Sequence, residues 1–90
     1  MPPTVQETRT SLAPDAVLSQ AQRFFTRRNS LYPAFPDRSG PAYATFRGQG
    51  GEELIIGVAA SPDGGTAVTG STYMFDAQLA RFFSTLPPVA

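Results

Sequence analysis

The side chains that could do chemistry in this chain are seven Arg, seven carboxylates, three Tyr and a set of Ser and Thr hydroxyls. His, Cys and Lys are absent. Without His, the commonest general base and the usual Ser–His–acid triads are missing. Without Cys there is no thiol nucleophile and no disulfide, and without either there is no ordinary structural zinc site. Without Lys there is no Schiff base and no phosphate-loop lysine. Gly48-Gln49-Gly50-Gly51 therefore reads as a glycine turn and not as a phosphate cradle. Glu52 and Glu53 are adjacent, so on a strand they point to opposite faces. Asp63 sits in a turn sequence, and Asp76 stands where a helix begins. Glu52 and Asp63 could hold a divalent ion only if the fold joined them, and no ligand spacing asks for that. Arg47, Tyr43 and Tyr73 could bind an anion or a planar ligand, but edge or interface roles explain them more simply. The expectation is a non-enzymatic protein with no cofactor and no metal.

Charge and length narrow the partners. Seven acids balance seven Arg, so electrostatic capture of nucleic acid or an anionic membrane is not expected. No apolar run approaches the roughly 20 residues of a membrane span. The opening Met-Pro-Pro-Thr-Val-Gln-Glu has neither the basic nor the apolar region of a signal peptide, so a cytoplasmic location is expected. The 90 residues make one domain, with 1–3 and 87–90 as expected flexible tails. A domain this small buries only about 60–65% of its unfolded surface, and pairing with another chain is a common remedy.

These side chains need elements to position them. Residues 4–12 are rich in Thr and Val and suit an edge strand. Pro14 and Asp15 then open a helix, with Pro at its first position and an acid in its first turn. Val17, Leu18, Ala21, Phe24 and Phe25 form one apolar stripe, and the helix is expected to stop near Asn29. Residues 29–42 contain three Pro and one Gly and read as a long loop carrying Leu31, Tyr32 and Phe35. Three strands follow, at about Tyr43–Arg47, Glu53–Ala60 and Thr66–Phe75. Ser61-Pro62-Asp63-Gly64-Gly65 supplies the turn chemistry of a hairpin. Asp76 is placed to cap a final helix with Leu79, Phe82, Phe83 and Leu86 on its stripe, ended by Pro87 and Pro88. The fold class is α+β: a small antiparallel sheet of three strands, plus an N-terminal edge strand, packed against two amphipathic helices. The order is (β)-α-β-β-β-α. The two helices share the pattern Gln-x-x-Arg-Phe-Phe, which two amphipathic helices needing paired aromatics can reach by chance.

Alternation along the strands separates two faces. Leu54, Ile56, Val58 and Ala60 share one, which the helices can cover. One hairpin register sets Val68 opposite Val58 and Ala67 opposite Ala59. It leaves Ile55, Gly57, Ala59, Ala67, Thr69, Ser71 and Tyr73 on the other face. A solvated antiparallel face usually carries long polar side chains, and here they are scarce. The face is covered by another copy or another protein, or lines a pocket, or meets water as a plain Thr/Ser/Ala surface. The leading expectation is a module that buries this face by self-association or within a larger assembly. The alternative is a binder of a small apolar or aromatic ligand between sheet and helices, lined by Tyr32, Phe35, Tyr43 and Phe46 with Tyr73, and with Arg47 beside them.

The opening of the chain resembles the start of Bet v 1/START-like helix-grip proteins. There too a Thr-rich strand runs through a Pro-acid-x-Val turn into a helix, here Leu12-Ala13-Pro14-Asp15-Ala16-Val17-Leu18. The resemblance covers roughly residues 4–18 and implies a sheet gripping a helix, often around an apolar cavity. This chain is much shorter, has fewer strands and ends in a helix of about ten residues.

Overall fold

The computed structural model describes residues 4–28, 35–48, 53–73 and 75–89. Five strands and two helices follow one another as β1 Thr4–Thr10, α1 Pro14–Arg23, β2 Phe35–Gly40, β3 Tyr43–Arg47, β4 Glu53–Ala60, β5 Thr66–Thr72 and α2 Asp76–Ser84. The class is α+β, as expected. The strands form one open antiparallel sheet in the order β1-β5-β4-β3-β2. The chain starts at one edge, crosses through α1 to the other, and returns strand by strand until β5 pairs with β1.

The hairpin of β4 and β5 has the expected register, with Val58 opposite Val68 and Ala59 opposite Ala67. Its turn is closed by Ser61 N–H donating to Gly65 O at 2.9 Å and Gly64 N–H to Ser61 O at 3.0 Å. Gly64 takes φ +88°, a conformation that only glycine adopts at no steric cost.

Strand β2 corrects the expected loop over 29–42. Pro36 and Gly40 looked like breakers, but among the described residues β2 pairs only with β3, so Pro36 owes no hydrogen bond on its outer side. The register shifts between Pro36 and Arg38, a bulge that absorbs one residue. Leu31 and Tyr32 lie outside the described residues.

Both helices lie on one face of the sheet, α1 against β3 and β4, α2 against β1 and β5. Helix α1 starts at Pro14 as expected and widens into a π-helical segment over Phe24–Arg28. Phe25 joins the layers: its ring centroid is 5.5 Å from Phe46 on the sheet and 5.2 Å from Phe82 on α2. Val17, Ala21, Leu54, Ile56, Val68 and Leu79 complete the buried centre. In the shared Arg-Phe-Phe pattern, α1 buries the second Phe and α2 the first. The two helices thus meet the core in different phase, as two separate solutions to one packing problem would.

Two further details depart from expectation. The cap of α2 is Phe75, and Asp76 is the first helical residue. Asp76 therefore makes no side-chain cap, and Thr72 Oγ1 accepts the Phe75 N–H at 3.1 Å just ahead of the helix. Pro87, placed in the expected tail, is tied to the end of β1. The Pro87 carbonyl accepts the Thr10 hydroxyl at 2.6 Å and the Ser11 amide at 3.2 Å.

Candidate interaction face

With the helices on one side, the other side of the sheet is the candidate site. Register fixes its composition. One cross-strand row runs Val5–Ser71–Ile55–Thr45, the next Glu7–Thr69–Gly57–Tyr43, and the third Arg9–Ala67–Ala59. Ile55, Gly57, Ala59, Ala67, Thr69 and Ser71 therefore stand together, as alternation required, and Tyr73 continues the same set beyond the end of β5. Among the described residues, the exposed large apolar side chains are all here: Val5 59%, Tyr73 53%, Tyr43 41% and Ile55 36%.

The middle of this face carries no charge. Glu7 and Arg9 stand on the β1 edge, and Arg47 and Glu53 at one end. Arg47 Nη2 lies 3.4 Å from Asp37 Oδ2 and 3.5 Å from Glu53 Oε2. At the opposite end Arg9 Nη2 pairs with Asp63 Oδ2 at 3.1 Å, and Arg9 Nη1 donates to Ser61 Oγ at 3.4 Å. Such exposed pairs contribute little stability each, but they place the charges around the rim. The Gly65 amide, the Ser61 hydroxyl and the Arg9 guanidinium hold the Asp63 carboxyl below its ordinary value. Space above Gly57 is open, since a Cβ there would meet nothing within 4 Å.

The expected aromatic patch does not assemble. Tyr43 and Arg47 point outward, whereas Phe46 lies between them on the strand and is 0% exposed on the core side. Alternation sends neighbours to opposite faces, so closeness in sequence misled. Phe35 falls opposite Arg47 in the ladder, and Tyr32 lies outside the described residues. The space between helices and sheet is occupied by the rings of Phe25, Phe46 and Phe82. A shallow groove of about 230 Å³ lies elsewhere, between α1 (Asp15, Leu18, Ser19, Gln22) and the β2–β3 corner (Ser39 to Ala44). Its Asp15, Ser19, Gln22 and Ser39 are solvent-exposed, and it touches the outer face only at Tyr43.

Val5, like Thr45, is a residue of the face that sequence reasoning missed. Alternation within Thr4–Thr10 puts it on the same side as Glu7 and Arg9, but only the long-range pairing of β1 with β5 brings it beside Ser71 and Ile55.

Among the described residues, the buried Thr hydroxyls are accounted for structurally. Thr10 binds Pro87 O, Thr66 Oγ1 donates to Leu12 O at 2.6 Å, and Thr72 binds the Phe75 amide. Among the described residues no three carboxylates converge where an ion could sit, and no helix is long and apolar enough to cross a membrane. No family model, curated protein or solved structure matches the chain. The similarity to helix-grip proteins therefore rests on the residues quoted for it.

Proposed function

We propose that this chain is a non-enzymatic cytoplasmic module that stacks its outer sheet face on a second copy of itself. The observation that carries the reading is the row Val5–Ser71–Ile55–Thr45, uncharged throughout and apolar at two of its four places, Val5 and Ile55, both exposed in the single chain. The rim supports a second copy over a charged partner. Its cations and acids are mixed, and the chain as a whole carries seven of each, so two copies meet without net repulsion. The lack of Cys suits a reducing compartment. The alternative, an apolar ligand held between sheet and helices, loses support because Phe25, Phe46 and Phe82 fill that space.

Sedimentation velocity across micromolar to millimolar concentration tests the proposal. The parent chain is expected to self-associate through this face, and Ile55→Glu to lose that association with an unchanged circular dichroism spectrum. A parent chain that stays monomeric at the highest concentration would overturn it.

A further inference from the structure

The two edges of the sheet differ. Edge strand β2 carries Pro36 and a bulge, both of which spoil it as a template for another strand. Edge strand β1 has seven residues, Thr4–Thr10, with no Pro, no Gly and a continuous ladder to β5. Among the described residues nothing pairs with its other side. Backbone donors and acceptors along that side are unspent, and a strand added there would satisfy them.

Charge on β1 is arranged to select the strand. Glu7 and Arg9 flank Thr8, and both lie on the outer face. When β1 meets a second β1 antiparallel with Thr8 opposite Thr8, Glu7 of each copy falls opposite Arg9 of the other. That makes two opposite-charge cross-strand pairs, which stabilise a ladder. Moving the centre to Glu7 sets Glu7 against itself, and moving it to Arg9 sets Arg9 against itself; both are unfavourable. Arg9 reaches from β1 to Asp63 and Ser61 of the β4–β5 turn, and a guanidinium has donors for more than one acceptor. Glu7 is exposed, with no ion pair among the described residues.

Area points the same way. Five strands of about seven residues present an outer face on the order of 500 Å². A standard interface buries about 800 Å² on each partner. Two chains joined edge to edge present roughly twice the single face, which passes that mark. This need for area rests on the outer-face reading above; the charge register stands without it.

We infer that β1 is a homodimer seam: two copies join antiparallel across Thr8 about a two-fold axis, giving a continuous ten-stranded sheet with all four helices on one side. The contact is isologous, as a closed two-fold dimer requires.

A charge-exchange experiment tests this. Glu7→Arg makes the edge cationic at both places, and Arg9→Glu makes it anionic at both. Each variant alone is expected to dimerise at least about tenfold more weakly than the parent. Mixed one to one, they should form a heterodimer near parental affinity, read by native mass spectrometry, because both pairs are then restored. Because Arg9→Glu also removes the Asp63 pair, a second probe uses the Cys-free background. Thr8→Cys should cross-link through a short bis-maleimide, which adds one thiol at each end, and Thr4→Cys, far from its own copy in this register, should not. Variants that dimerise alone as the parent does, or equal cross-linking at Thr4 and Thr8, would overturn the seam. Ile55→Glu separates the two contacts. If the outer-face reading is right and the seam is right, that variant stops at two copies. If the seam is wrong, it stops at one.

Discussion

Leu79 of α2 sits directly on the backbone of Gly70 in β5: a Cβ built at Gly70 would stand 2.7 Å from Leu79 Cδ2 and 3.0 Å from Cγ. Leu79 is fully buried, so it has nowhere to withdraw. The absence of a side chain at Gly70 is what lets α2 lie flat on the strand. Gly70→Ala is therefore expected to destabilise by about 1–3 kcal/mol through overpacking. In a domain of this size each kcal/mol lowers Tm by roughly 4–8 °C. Thermal melts of Gly70→Ala, and of Gly70→Ala with Leu79→Val, check it. The second change makes room and should recover part of the loss. An unchanged melt for Gly70→Ala would show that α2 is not seated there.

Thr10 fastens the chain's end to its beginning. Its hydroxyl donates to Pro87 O at 2.6 Å and accepts the Leu12 amide at 3.3 Å, with the residue fully buried. Thr10→Val keeps the shape and removes both bonds, leaving the Pro87 carbonyl and the Leu12 amide each with one partner fewer. The expected cost is about 1–3 kcal/mol in urea unfolding. Hydrogen exchange should rise at Ser11, whose amide shares the same carbonyl. A cost below about 0.5 kcal/mol would mean that residues 87–89 contribute no order to the fold.

Acid acts on the β4–β5 turn through Asp63. Its carboxyl is held below the ordinary 3.8, first by the Gly65 amide, then by Ser61 and Arg9. A folded value below the unfolded one means that the stabilisation is complete above the unfolded value and is lost as pH falls through the folded one. The difference in urea midpoint between the parent and Asp63→Asn should therefore hold steady from pH 7 to 5 and shrink below about 4. A difference that stays constant down to pH 2 would assign it to shape instead of charge.

Much of this fold is legible in the residues, for local reasons. Ser61-Pro62-Asp63-Gly64-Gly65 dictates a turn, and the turn dictates that Val58 meets Val68. Pro14 and the stripe through Val17, Ala21 and Phe25 dictate α1. What escaped depends on distant contacts. Pro36 reads as a breaker until the strand is known to be an edge, where the missing N–H costs nothing. Thr72 reads as a strand residue until the chain turns and its hydroxyl meets the Phe75 amide. Most of the candidate face could be written down from alternation within one hairpin. Val5 could not, because its place depends on β1 pairing with a strand some sixty residues later. Tyr43 and Phe46 looked like one aromatic patch only while their three-residue spacing was read as nearness; on a strand it divides them.

The outer face offers its own reporter. The chain has two Ile, adjacent on β4 and pointing to opposite sides: Ile56 is fully buried beneath the helices, and Ile55 lies in the middle of the outer face. Methyl-labelled isoleucine then gives one reference signal and one test signal. The decisive measurement is the relaxation of both by a soluble gadolinium reagent as protein concentration rises. If the face is covered by a second copy, Ile55 should begin strongly relaxed and approach the protection of Ile56. An Ile55 methyl that stays equally accessible at every concentration would contradict the proposal that this face is buried by self-association.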